Sequence, residues 1–244
     1  MFKSYKTSNY IFYFNENSIA EKEIKQIAAE QEQSFRHICD TLNVNFNETI
    51  EYYLLDSPKE VGKLFGNNEP CNGFAMLGEN KIYAVYNKDI QCIGPHEDCH
   101  LISLKINVPK SDFLVEGLAM FFDKTWWQID NDMWTSYYMS KGFNYTLGNL
   151  LNMNSNDFYD IDCAIAYPIA GSFTKFLIFQ HGIEKYIDFY KCKNAEFNME
   201  FKKVYNIDFY DVEKAFWKYI KEINVPRNVK GRMDKLFEKH HDKN

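Results

Sequence analysis

Residues 94–103 read Gly-Pro-His-Glu-Asp-Cys-His-Leu-Ile-Ser, and the five from His96 to His100 decide how the rest of the chain is read. Pro95 suits the first turn of a helix, where a missing N–H costs nothing. On a helix, residues four apart share a face, with Cβ atoms about 5–6 Å apart. His96 and His100 can therefore grip one metal ion through their ring nitrogens. Glu97 is turned from His96 by about 100°. It stays out of that coordination sphere but reaches a water on the same ion. H-E-x-x-H thus supplies two ligands and an adjacent base. A random chain of this length shows the pattern roughly one time in a hundred. The plain alternative is two histidines in ordinary core or surface positions.

A catalytic zinc needs a third protein ligand and one open position. The next helical stretch, Ser111 to Trp126, offers Glu116 beside Gly117, among Leu114, Val115, Leu118, Ala119, Phe121 and Phe122. A carboxylate on an apolar helix face is costly unless paired or bound to metal. Its alternative is a glutamate at the helix edge, facing water.

Upstream, Asn9–Phe14 (Asn-Tyr-Ile-Phe-Tyr-Phe) and Thr49–Asp56 read as strands. Ser18-Ile19-Ala20-Glu21 is a capping box. It opens a long helix with apolar residues at Ile24, Ile27, Ala28, Phe35, Ile38 and Leu42. Ser57-Pro58-Lys59-Glu60 opens a short second helix. Gly66 to Gly73 is a loop by its turn residues. Phe74–Leu77 and Lys81–Asn87 flank a turn containing Gly78, the pattern of a hairpin. From Pro95 to Ile223 helical periodicity dominates, broken at 107–109, 152–162 and 206–208. The expected fold is α+β. A small mixed sheet with an antiparallel edge hairpin fills an N-terminal lobe, 1–106. The metal-ligand helix sits where the lobes join, and a mostly helical lobe, 107–225, completes a single domain. Residues 226–244 read as a polar, peripheral tail. His240 and His241 lie in it, as solvated residues rather than ligands.

The bulk properties exclude some partners. A net charge of -6 with no dense basic patch argues against nucleic acid. The apolar runs fall short of the roughly 18 residues that a membrane span needs. The first residues lack the apolar core of a signal peptide. Six scattered cysteines without a C-x-x-C pair read as free thiols in a reducing, cytoplasmic compartment. An exported parent trimmed of its signal is the alternative.

His-Glu-Asp-Cys-His followed by Leu114-Val115-Glu116-Gly117-Leu118-Ala119 resembles the gluzincin zinc peptidases, the group that includes thermolysin and the zinc aminopeptidases. Ala166-Tyr167-Pro168-Ile169-Ala170-Gly171-Ser172-Phe173 and His181-Gly182-Ile183-Glu184-Lys185 are similar to a later helix of compact bacterial members. The resemblance spans most of residues 9–224. It implies a zincin-like fold, one zinc ion on His96, His100 and Glu116, and Glu97 as general base. It also implies a peptide or protein substrate and a tyrosine or histidine that steadies the oxyanion. Tyr167 is the candidate for that last role, with a core tyrosine as its alternative; His181, at a helix end before Gly182, is the second candidate.

The chain departs from the family in several places. Asp98 and Cys99 fill positions where small or apolar residues are usual. Many gluzincins carry a carboxylate one turn after the glutamate ligand, holding a zinc histidine by its other nitrogen; here that position is Met120. Asp123, a further turn on, is the substitute, or a solvated acid. The aminopeptidase G-x-M-E-N pattern is absent, so exopeptidase activity does not carry over. Three readings follow: a zinc metallopeptidase, an inactive zinc-binding module of the same type, and a helical scaffold without metal.

Overall fold

Alternation along the strands sorts their side chains onto two faces. In β2 (Tyr10–Asn15), Tyr10, Phe12 and Phe14 are buried while Ile11, Tyr13 and Asn15 are half-exposed; in β3 (Ile50–Leu55), Ile50, Tyr52 and Leu54 face inward. Period two is the signature of a sheet with one face in the core. The computed structural model describes residues 2–66, 68–143, 145–192 and 197–241. Residue 67, within the loop expected at 66–73, and residues 242–244 of the expected tail lie outside the described residues. The chain forms two compact units, Met1–Val108 and Pro109–Asn244.

In the first unit, five strands run in the order β1-β2-β3-β5-β4. β1 is Phe2–Lys6, β4 is Gly73–Met76 and β5 is Lys81–Val85. β2, β3 and β5 are parallel, with β1 and β4 antiparallel at the edges. The sheet is therefore mixed and carries the expected antiparallel hairpin at one edge. Helix α1, Ile19–Leu42, packs across β2 with Ala20, Ile24, Ile27, Ala28, Phe35, Ile38 and Leu42 buried. Ser18 caps it by accepting from Glu21 N at 3.1 Å. Glu21 Oε2 reaches Asn17 N, one residue short of the usual capping-box partner. α2, Pro58–Phe65, repeats this with Ser57 accepting from Glu60 N and Glu60 Oε2 accepting from Asp56 N.

On the outer face, register aligns Tyr13, Tyr53, Tyr83 and Phe74, one per strand. Their rings stack in sequence at centroid separations of 4.7, 4.7 and 5.0 Å. Each such cross-strand aromatic pair contributes about 0.2–1 kcal/mol. β5 is bonded on both sides, to β3 and to β4, so its polar backbone groups are used. Of the two hairpin strands, only Gly73–Met76 lies at the sheet edge.

The unit ends with α3, Pro95–Ser103. The second unit begins with α4, Asp112–Asp123, followed by a two-stranded turn, β6 (Thr125–Trp126) and β7 (Ile129–Asp130). Then come α5 (Asn131–Ser140), α6 (Leu147–Asn152), α7 (Ser155–Tyr159), α8 (Cys163–His181), α9 (Ile183–Tyr190), α10 (Phe197–Tyr205), α11 (Phe209–Glu222) and α12 (Arg227–His241). α8 is apolar on nearly all sides because it runs through the core of this unit. α4 crosses it closely, with glycine on both helices. A Cβ on Gly117 would lie 2.5 Å from Thr174 Oγ1 and 2.9 Å from Ala170 O; one on Gly171 would lie 2.6 Å from Met120 Cβ. α5, α8 and α11 are joined by buried Asp132, which accepts from Ser172 Oγ at 2.6 Å, Lys175 Nζ at 2.7 Å and the Tyr219 hydroxyl. No helix is long and apolar enough to cross a membrane, among the described residues.

The C-terminal stretch differs from the peripheral tail expected of it. As α12 it buries Met233 completely, and Asp234 Oδ1 accepts from the Tyr137 hydroxyl at 2.7 Å. His240 Nε2 lies 3.0 Å from Asp162 Oδ1, so His240 is docked on the cap of α8 rather than solvated.

Candidate metal centre

α3 begins at Gly94, whose φ of 126° only glycine adopts readily. Gly94 has no side chain with which to cap the helix. Pro95 occupies the first helical position, as its fixed φ favours. His96, Glu97 and His100 are partly buried, and Asp98, Cys99, Leu101 and Ile102 form the buried side. The two imidazole rings meet edge to face, with centroids 4.9 Å apart. This is the neighbourhood that i,i+4 spacing dictates.

Glu116 sits on the second turn of α4 and is only 5% exposed. Its placement follows from the glycine beside it, since Gly117 is what allows α4 to approach α8 so closely. One ligand atom from each of His96, His100 and Glu116 lies within 4.8 Å of the other two. Among the described residues it is the one group of three such side chains so arranged. Two ring nitrogens and a carboxylate oxygen are the donors of a three-ligand zinc site. They fit zinc, although imidazole and carboxylate donors also accept neighbouring divalent transition ions.

Glu97 faces the edge strand. A Cβ on Gly73 would lie 3.3 Å from Glu97 Oε1 and 3.1 Å from Cys92 Sγ. The absence of a side chain at Gly73 is what lets the carboxylate stand against the backbone of β4.

A tyrosine missed by sequence reasoning adjoins the cluster. Tyr159, the last residue of α7, donates from Oη to Glu116 Oε1 at 3.1 Å and lies 3.4 Å from Asp112 Oδ1. Desolvation of its hydroxyl, then the charges of Glu116 and Asp112, push it well above the usual tyrosine range, so it stays a proton donor although the residue is 51% exposed. Asp112 and Glu116 are four apart on one helix, which is why one hydroxyl meets both. Tyr167 is half-buried on α8, edge-on to Trp126 and stacked over Phe158 at 6.5 Å.

The other candidates fall elsewhere. Cys99 is fully buried, and Met120 is a core residue against Gly171. Asp123 is the half-buried last residue of α4. His181 ends α8 against the Tyr205 ring, and burial lowers its pKa. Asp98 is completely buried, which pushes its carboxyl up to about 8. It accepts from Tyr10 Oη at 2.5 Å and from Gln31 Nε2 at 3.0 Å.

No family model matches the sequence, and no curated protein matches it either.

Proposed function

We propose that the chain is a zinc-dependent peptidase of gluzincin type with a zincin-like fold. The observation that carries this reading is the His96, His100 and Glu116 cluster, with Glu97 between the two histidines in sequence. His96, His100 and Glu116 would hold one zinc ion. When bound, such an ion supplies Lewis acidity, lowering the pKa of a water to about 7 and polarising a carbonyl.

The remaining roles belong to the chain's own side chains. Glu97 accepts a proton from the attacking water on its carboxylate and passes it to the leaving amine. Tyr167, on the family resemblance, donates to the oxyanion as the carbonyl carbon becomes tetrahedral. Tyr159 holds Glu116 by its Oε1 atom and fixes that carboxylate in place. The free edge of Gly73–Met76 accepts an extended peptide by backbone hydrogen bonds, with Glu97 alongside. Free thiols at Cys39, Cys71 and Cys163 suit a reducing, cytoplasmic setting.

Glu97→Gln tests the reading. It should leave one zinc per chain and lower peptidase turnover by about 10²–10⁴-fold, the usual contribution of a general acid–base group. Full turnover in that variant would remove Glu97 from the mechanism.

A specific observation favours a second reading, an inactive zinc-binding module. The position where the family often places a carboxylate behind a zinc histidine is Met120, and it is packed in the core. This reading expects tight zinc with no turnover on a broad peptide library, whatever the residue at 97.

A further inference from the structure

Asp98 is a costly residue at its position. It is fully buried on the metal-ligand helix, where an apolar side chain would pack more easily. It is also the residue farthest round the helix from the ligands. At about 100° per residue it points about 160° away from both His96 and His100. Whatever holds Asp98 therefore sets the rotation of the opposite, ligand-bearing face.

Two side chains, from Gln31 and Tyr10, hold it and the entry to the helix. Gln31, buried on α1, accepts from Gly94 N at 2.6 Å and donates to Gly94 O at 3.1 Å. The same amide nitrogen donates to Asp98 Oδ2 at 3.0 Å. Tyr10, buried on β2, donates to that oxygen at 2.5 Å, and its Oη lies 3.3 Å from Gln31 O. One glutamine thus grips the uncapped start of α3 and its first turn together. Hydrogen bonds fix direction, whereas apolar packing of a helix of nine residues tolerates small rotations.

We propose that Gln31, Tyr10 and Asp98 are positioning residues that set the rotation of α3 and so the geometry of the metal centre. The inference rests on the zinc-site reading above, and gives the cost of burying Asp98 a purpose. Removing the clamp shifts His96, Glu97 and His100 together, because they share one short helix.

The experiment uses the full chain with zinc and, as a spectroscopic probe, cobalt(II). Asp98→Leu and Gln31→Leu should lower zinc affinity by about 10–100-fold, the usual effect of losing support behind a ligand. They should also alter the visible cobalt spectrum. Asp98→Asn keeps an acceptor for Tyr10 and Gln31 and should restore both. Tyr10→Phe removes one hydroxyl only and serves where the leucine variants fail to fold; it should shift the cobalt spectrum in the same direction. A wild-type cobalt spectrum and zinc affinity in folded Gln31→Leu or Tyr10→Phe would overturn the clamp and leave the zinc reading standing. A wild-type chain that takes up neither metal would overturn both.

Discussion

The hydroxyl of Tyr159 lies 3.1 Å from Glu116 Oε1, joining a five-residue helix to a buried carboxylate on the second turn of α4. The proposed reading gives two tyrosines different roles, Tyr167 at the reacting oxygen and Tyr159 behind Glu116. Tyr159→Phe should weaken zinc binding by about 10–100-fold. Tyr167→Phe should leave zinc affinity alone and lower kcat by about 10²–10³-fold. Zinc titration beside steady-state kinetics checks both, and the opposite pattern would exchange the assignments.

Gly73 lets the edge strand stand against Glu97. In Gly73→Ala the new methyl group would press on Glu97 Oε1 and Cys92 Sγ at 3.3 and 3.1 Å. Misplacing a reacting group by about 1 Å can cost about 10² in rate. Turnover should fall by up to that factor while zinc content stays at one per chain. Unchanged kcat would mean that the base does not work against this strand.

Gly117 controls the approach of α4 to α8. A methyl group there meets backbone at Ala170 O as well as Thr174 Oγ1, so the helices must part. Overpacking of this kind costs about 1–3 kcal/mol. Urea unfolding of Gly117→Ala should show that loss, and zinc affinity should fall with it because Glu116 is the adjacent residue.

Acid should loosen α12. The Tyr137 hydroxyl and the Lys141 ammonium hold the Asp234 carboxyl below its ordinary 3.8. A carboxylate whose folded pKa is depressed stabilises the native state above 3.8, and that contribution is lost as pH falls through the folded value. Hydrogen exchange around Met233 should therefore quicken below about pH 4. Asp234→Asn should remove this pH dependence; an unchanged acid response in that variant would place its cause elsewhere.

Much of the first unit was legible in the sequence, because its signals are local. Ser18 and Ser57 announce helix starts, and period-two burial announces β2 and β3. β1 was missed because nearly all its residues are exposed, leaving no apolar face to register. α12 was missed because Met233 is its only buried residue and its other apolar side chains, Val229, Leu236 and Phe237, are scattered among charged and polar ones. His96, Glu97 and His100 could be read together because one helix turn joins them, and Glu116 because it sits among apolar residues. Tyr159 lies 43 positions from Glu116, in a stretch that reads as a break between helices. Tyr10 and Asp98 are 88 apart. No spacing rule reaches such pairs, and only the packed chain brings them together.

X-ray absorption at the zinc edge on the zinc-loaded chain tests the central claim most directly. The expected spectrum has two imidazole nitrogens and one carboxylate oxygen at about 2.0–2.2 Å, with a further light-atom neighbour, and it loses the carboxylate in Glu116→Ala. A chain that holds no stoichiometric zinc, or a spectrum unchanged by Glu116→Ala, would contradict it.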